Sequence, residues 1–495
     1  MLVLPETLAE AHGLLNAQAA LLGQQAETIA QLREMNVRLE QKVQKLEQTV
    51  QKLEARLNTN SQNSSKPPSS DGPQVPPKPS KPKSPRNPGG QPGHSRHERQ
   101  RVPLEEVTQV TECVPDRCRG CEASLSGLDA APFWHQVVEL PEVKAQVHEV
   151  RLHTLWCARC GQRTRAPLPE GVPRGAFGPR VQAFVAMAVG SCRLSKRLVQ
   201  RLLLDGFGVR ISLGALSALE RQVSDSLLQP YDEVAMAVRT SPVVNADETS
   251  WSEKGNKAWL WAAFTESFGL FRIDPKRDAA AAKALLGENF AGVLGSDRFG
   301  AYTFVDSAQR QVCWAHLVRD FRAFAHHDGA EGKALSRSLL ECCEKLFHAW
   351  HAVRPGLRTG TLSPKERLTF ETRMDTLAKD VSAALTKGLT LPRLAKKCEG
   401  MLKLNKAFWT FVRTPGVEPT NNAAERGVRH PVIWRKLCFG TQSPRGSLFV
   451  SRILTAVSSL RLQNRNVFAY LTDLCQAALN KTPLPSLLPQ TADTT

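Results

Sequence analysis

The sequence predicts a multidomain α/β protein with helical segments on both sides of its sheet-containing part, and three observations lead there. A seven-residue apolar repeat runs through the N-terminal region, the mark of a long two-stranded helix. Two short apolar runs, Val243-Val244 and Gly292-Val-Leu-Gly, each lead into an aspartate, Asp247 and Asp297. That is how buried strands end when they deliver a carboxylate to the rim of a sheet. Between the second aspartate and a third acid, Glu425, lies a long stretch with helical periodicity. A chain of 495 residues is too long for one ordinary domain and predicts two to four folded units.

Composition narrows the partners. With 65 Lys+Arg against 47 Asp+Glu the chain carries +18, which favours a polyanion, nucleic acid before an anionic membrane surface. The longest apolar run, near Val181 to Cys192, is too short to span a bilayer. The N-terminus lacks the basic region of a secretory signal, so a reducing cytoplasm is expected and the 12 cysteines are read as thiols or metal ligands rather than disulfides.

Taken in order, residues 1–57 read as a coiled-coil dimerisation helix. Ile29, Asn36, Val43, Val50 and Leu57 alternate with Leu32, Leu39, Leu46 and Leu53. β-Branched residues at the first position and Leu at the second favour a parallel two-stranded coil, whose register a seam Asn fixes. The predicted assembly is a homodimer or a higher oligomer. A single amphipathic helix packed on its own protein is the alternative. Residues 58–101 are a basic Pro/Ser-rich linker, in which Lys78, Lys81, Lys83 and Arg86 suit phosphates or merely a solvated spacer.

Residues 102–168 carry two C-x-x-C knuckles, Cys118/Cys121 and Cys157/Cys160, separated by 35 residues. Four thiolates satisfy tetrahedral Zn²⁺, and the metal stabilises a module too small for a good core. The alternation V-K-A-Q-V-H-E-V-R-L-H-T-L-W (143–156) predicts a strand in an inserted hairpin. Cys113 is a rival ligand that spacing disfavours. Residues 169–235 predict short helices, with Ser212 as an N-cap and a glycine turn before it. A helix-turn-helix would place Arg193, Lys196, Arg197 and Arg201 near DNA, although any helical hairpin reads the same way.

Residues 236–440 form the predicted catalytic unit. Two further strand-like runs follow Asp247, then an alanine-rich helix and the Asp297 strand. Strand-strand-strand-helix-strand is the order of a ribonuclease-H-like core, with a helical insertion at about 332–411. Ser363-Pro364-Lys-Glu366 predicts a capped helix start inside that insertion. Three carboxylates from different elements can hold two hard divalent cations, the chemistry of phosphodiester cutting and joining. Taken singly, Asp247 and Asp297 suit turn caps and Glu425 a capping box. Glu248 and Glu418 are rival ligands. Arg426 and Arg429 share a helix with Glu425 and suit phosphate. His316, in C-W-A-H, is a site candidate by its place just after a strand. Residues 441–495 predict C-terminal helices and a tail.

At these residues the chain resembles the transposases of the insertion sequence 66 family. The resemblance rests on N-S-S-K-P-P-S-S-D (63–71), the paired knuckles, A-D-E-T (246–249), D-R-F-G-A-Y (297–302), C-W-A-H (313–316) and N-N-A-A-E-R (421–426). It implies a DDE transposase with a ribonuclease-H-like fold. Asp247, Asp297 and Glu425 would be its catalytic triad, holding two Mg²⁺ or Mn²⁺ ions. It also implies binding of double-stranded DNA at the element ends and target, with the zinc module and helices assisting. Small accessory proteins of the same element are implied partners, and a bacterial cytoplasm, at the nucleoid when DNA-bound, is the implied location. Thr420, where the family often has an acid, and the knuckle spelling C-R-G-C are departures that leave the triad untouched.

Overall fold

A computed structural model describes residues 7–57 and 100–489. The predicted linker, 58–101, lies outside the described residues except for its last two positions. The fold is mixed α/β with a helical N-terminal region. The chain opens with α1 (Leu8–Leu57) and later forms a small hairpin, β1 (Thr154–Trp156) and β2 (Arg163–Arg165). Four helices follow: α2 (Pro179–Gly190), α3 (Lys196–Phe207), α4 (Leu213–Ser226) and α5 (Leu228–Arg239). Next come β3 (Val243–Glu253), β4 (Asn256–Phe264), β5 (Gly269–Asp274), α6 (Ala279–Leu286), β6 (Val293–Ser296) and β7 (Arg310–Val312). The remainder is helical: α7 (Trp314–Phe324), α8 (Gly329–Thr359), α9 (Pro364–Lys387), α10 (Ala395–Lys403), α11 (Thr410–Arg413), α12 (Asn422–Cys438), α13 (Pro444–Leu462) and α14 (Val467–Asn480).

Contacts divide the chain into two compact units. One comprises Pro79–Gly292, Gly300–Phe304 and Asn422–Thr495. Its centre is the antiparallel meander β3-β4-β5, in which Asp247 lies opposite Ala262 and Leu260 opposite Ile273. The β3-β4 hairpin turns through Lys254 and Gly255, both at positive φ (51° and 78°), the conformation that matches strand twist. α13 lies along β5 and satisfies its backbone. Gly269 N, Phe271 N and Ile273 N donate to Ser459, Thr455 and Ser451 hydroxyls at 3.2, 3.0 and 3.2 Å. Alternate strand residues meet helix residues spaced by four, so the period of one element matches that of the other. Trp261, Phe271, Leu260 and Leu270 are fully buried here. α2 packs on α14 and α4.

The cysteine-bearing segment of the same unit is built differently: no described residue from Gln100 to Gln182 is buried. The strand predicted over residues 143–156 forms only at Thr154–Trp156. Val147 is 92% exposed and Val143 50% exposed, so the alternation has no apolar surface to pack on, and pattern without a partner does not make a ladder.

The other unit comprises Met1–Lys78, Val293–Phe299 and Val305–Asn421. β6 and β7 are parallel, with Ser296 opposite Val312. The buried Gln311 ties β7 to the end of the helical insertion: its amide nitrogen donates to the Phe408 carbonyl (3.1 Å) and its oxygen accepts from Phe411 N (2.8 Å). Trp314, Phe408 and Trp409 pack edge to face around that junction. α9 begins with the expected capping box, Ser363 Oγ accepting from Glu366 N and Glu366 accepting from Ser363 N. The helix α1 has 50 residues, about 75 Å at the helical rise. Its seam residues Leu32, Leu39, Leu46 and Leu53 are all at least half exposed.

Candidate active site and cysteine knuckles

Asp247 does not end its strand as expected: β3 continues to Glu253 because the hairpin with β4 carries the ladder on, so the acid lies within the strand beside Glu248, and alternation sends the two to opposite faces. Asp247 is half-buried, and its Oδ1 accepts Glu248 N at 3.0 Å. α12, which carries Glu425 in its first turn, packs against β3 and β4. Two features fix that helix. Gly427 lies so close to β4 that any Cβ there would overlap the Phe264 ring. Two turns on, Arg435 Nη1 donates to Thr249 Oγ1 (3.1 Å), to Ser250 Oγ (2.6 Å) and to the Ser250 carbonyl. Burial pulls the Arg435 pKa down, yet these oxygens hold its charge beside the strand. The fold thus brings the strand of Asp247 and the helix start of Glu425 together within one unit, where the positive end of α12 favours a carboxylate.

Glu248, a rival ligand by sequence, is engaged elsewhere. Its side chain is 2% exposed. Oε1 accepts from Arg277 Nε (3.0 Å) and Nη2 (2.6 Å), and Oε2 accepts from Tyr302 Oη (2.6 Å). The Arg277 guanidinium lies over the Trp259 ring at 4.8 Å. A buried carboxylate paired in this way is tied to its neighbours. Arg277 carries no sequence signal, and D-R-F-G-A-Y does not link its Tyr302 to Glu248, because the two lie 29 and 54 residues from that acid.

In the other unit Asp297 follows directly on β6. Its Oδ1 accepts Phe299 N (2.9 Å), the turn-capping role, while Oδ2 takes no hydrogen bond among the described residues. Arg310, which is 1% exposed, donates to the Asp297 carbonyl (3.0 Å) and Ser296 Oγ (3.2 Å) and holds that turn. Because β6 and β7 run parallel in register, Asp297 and Cys313 emerge at the same C-terminal edge, where open α/β sheets collect functional groups. Cys313 Sγ accepts Asn421 N at 3.2 Å. His316 sits in the first turn of α7, with a ring nitrogen within 4.8 Å of that sulfur and Nε2 3.1 Å from Arg319 Nη2. Glu418, the second rival, pairs with Arg354 at 2.7 Å.

The two C-x-x-C segments adopt the same turn. Glu122 N donates to the Cys118 carbonyl and Gly161 N to the Cys157 carbonyl, at 2.9 and 2.8 Å. The following residues, Glu122 and Gly161, are both left-handed. The amides of Gly120 and Cys121, then the Cys121 thiol, hold the Cys118 pKa below the ordinary thiol value. The amides of Cys160 and Arg159, then the Cys160 thiol, do the same for Cys157. Thiols biased toward thiolate are the donor set that soft or borderline metals such as Zn²⁺ take. Each knuckle is formed, but no three of the four sulfurs lie within 4.8 Å of one another among the described residues. Cys113 is exposed and belongs to neither turn.

Of the residues predicted to meet DNA, Arg193 occupies a left-handed turn (φ 61°) between α2 and α3. Arg197, on α3, is exposed. Lys196 is spent inside the α3–α4 pair: its ammonium lies 2.7 Å from Glu220 and donates to Ser217 Oγ at 2.8 Å. Desolvation raises the Glu220 pKa against the pull of that lysine. Ser212 caps α4 through Ala215 N at 3.1 Å. Arg426 and Arg429 are exposed on α12, while Ala424 and Val428 face inward.

Residues 174–448 match the model of the family described as Transposase IS66 family. Residues 10–100 match a family of unknown function, DUF6444. The uncharacterized protein y4hP of Sinorhizobium fredii (strain NBRC 101917 / NGR234) is 24% identical over 409 residues, covering 76% of this chain and 71% of its own length.

Proposed function

We propose, from the premise that this chain belongs to the transposase IS66 family, that it is the DNA transposase of an insertion sequence and a DDE enzyme with a ribonuclease-H-like core. The match over residues 174–448 carries the reading, because Asp247, Asp297 and Glu425 all fall inside it. The element succession β3, β4, β5, α6, β6 accords with such a core. Carboxylates are the hard oxygen donors that Mg²⁺ and Mn²⁺ take. The half-buried Asp247 and the Oδ2 of Asp297 suit that part, and so does Glu425 at a helix start.

When bound, two such ions would supply Lewis-acid activation of water for strand cleavage and then of the freed 3′-hydroxyl for attack on target DNA. The chain's own residues do the rest. Arg435 and Gly427 hold the helix of Glu425 against the strand of Asp247. Arg310 fixes the turn that aims Asp297. Arg426 and Arg429 neutralise phosphates beside the reacting strand, as Arg193 and Arg197 do further along the duplex. His316 is a further candidate at the edge shared by Asp297 and Cys313. Cys118, Cys121, Cys157 and Cys160 would hold one structural Zn²⁺, and α1 would pair two protomers through its exposed seam. Small accessory proteins of the element are candidate partners.

Labelled element-end DNA incubated with Mg²⁺ or Mn²⁺ tests the reading. Wild type should cleave and transfer strands, and Asp247→Ala or Asp297→Asn should lose activity by several orders of magnitude while still binding ends. Wild-type-like cleavage by either variant overturns the triad. Tight end binding without cleavage, even with the accessory proteins added, identifies a non-enzymatic DNA-binding protein instead.

A further inference from the structure

The C-terminal part of the helical insertion is strongly basic. Between Lys387 and Arg413 the chain has seven basic residues and a single acid, Glu399. Two of the cations are neutralised locally, Lys403 by Glu399 (2.7 Å) and Arg413 by Asp375 (2.8 Å). Lys387, Lys396, Lys397 and Lys406 are exposed and have no acid within 4.0 Å among the described residues. The opposite side of α10 is the buried one: Leu394, Cys398 and Met401 are 0% exposed. Packing therefore fixes the helix so that its lysines point outward.

The surface continues onto the α7–α8 turn. Asp328 Oδ1 accepts Arg393 N at 3.3 Å, which ties that turn to the start of α10. His327 beside it has its pKa lowered, first by desolvation and then by Lys397 and Arg393 against the opposing pull of Asp328. By contrast α9, next to α10, interleaves its cations with acids: Arg367 pairs with Glu371 at 3.0 Å, and Arg373 stands between Glu371 and Asp375.

We propose that this face of the helical insertion, centred on Lys387, Lys396, Lys397 and Lys406, binds the phosphate backbone of duplex DNA independently of sequence. Exposed lysines are strongly hydrated point charges suited to phosphates rather than to base edges. No aromatic residue between Lys387 and Arg413 is among the exposed large side chains, so the platform on which single strands stack is lacking. The same stretch exposes one large apolar side chain, Leu389, too little to enter a membrane interface. The choice of DNA among polyanions rests on the transposase reading; the surface itself does not.

The test is binding of the full-length protein to a labelled duplex of arbitrary sequence, without added Mg²⁺ or Mn²⁺, across a sodium chloride titration. Each neutralised phosphate contributes roughly 0.9 to the slope of log affinity against log salt. Replacing Lys396, Lys397 and Lys406 together by Gln should lower that slope by about 2 to 3. It should also weaken binding at low salt at least tenfold, with the melting temperature unchanged. Lys365→Gln with Arg373→Gln on α9 is the control and should leave the slope as it was. An unchanged slope in the triple variant overturns the inference, and so does an equal loss in the control pair. Loss of binding to anionic lipid vesicles with duplex binding intact overturns the choice of DNA. Binding is read without the divalent ions that cleavage would need, so an inactive protein that binds through these lysines would sink the catalytic proposal and leave this one standing.

Discussion

Two parts of one compact unit show opposite ways of holding a chain together. The meander β3-β5 with α12 and α13 is held from within: Trp261 and Phe271 are wholly buried, and the β5 amides end on α13 hydroxyls. The segment from residue 102 to 168 has no buried residue at all, only two formed knuckles with thiols biased toward thiolate. A core as large as the first tolerates polar side chains inside it because each finds a partner. The second has too little apolar surface to offset the entropy of ordering its backbone; under the proposed reading a metal held by its cysteines would supply the difference.

Removal of the proposed zinc should separate the two parts most strongly. Purified from zinc-replete medium, the protein should carry one zinc per chain by elemental analysis. Chelation, or Cys157→Ser, should abolish hydrogen-exchange protection across residues 102–168 while β3 to β5 stay protected. Structural zinc supplies on the order of 10–16 kcal/mol to small modules, far more than any packing available there. Absence of zinc, or an unaltered exchange pattern after chelation, would remove the contrast.

On the packed side, Gly427→Ala forces a methyl into the Phe264 ring and should cost about 3 kcal/mol. It should lower the melting temperature and, by displacing the helix of Glu425, reduce cleavage more than DNA binding. Thr455→Val keeps the shape but strands Phe271 N and should cost about 1–3 kcal/mol in denaturant titration. A loss no larger than that of an exposed threonine variant would show that α13 protects β5 by packing alone.

The smallest effect is electrostatic. Burial, then Arg193 and Arg461, push the His430 pKa down to about 4 from 6.5. The folded state therefore binds fewer protons than the unfolded one. Its stability is full above pH 6.5 and declines as pH falls from there toward 4. The ring is partly solvated, so about 1 kcal/mol is expected after screening. His430→Gln should flatten that part of the stability–pH curve, and an unchanged decline would assign it to other groups.

Features set by near neighbours were legible in the sequence. The α1 repeat, the Ser212 cap and the Ser363–Glu366 box each depend on residues a turn apart. The aspartates Asp247 and Asp297 were found because an apolar run followed by an acid is itself a local pattern. What was missed is long-range. Arg277 beside Glu248, Arg435 of α12 against β3 and Arg310 at the Asp297 turn are polar residues with nothing nearby to mark them, and D-R-F-G-A-Y does not tell that Tyr302 meets Glu248. The alternation of residues 143–156 misled for the converse reason, since a strand pattern is realised only when another strand or an apolar face receives it.

By itself, then, the sequence determined element types, caps, the knuckle turns and the family, because hydrophobic period and short-range hydrogen bonds are written within a few residues. Only the tertiary structure decided which carboxylates are already engaged, how α12 is clamped to its strand, that three hydroxyls of α13 close a sheet edge, and which lysines face outward unpaired. Those outcomes depend on which desolvated groups meet across separations of 29 to 190 residues, and a buried polar atom is stable only where such a meeting supplies its partner.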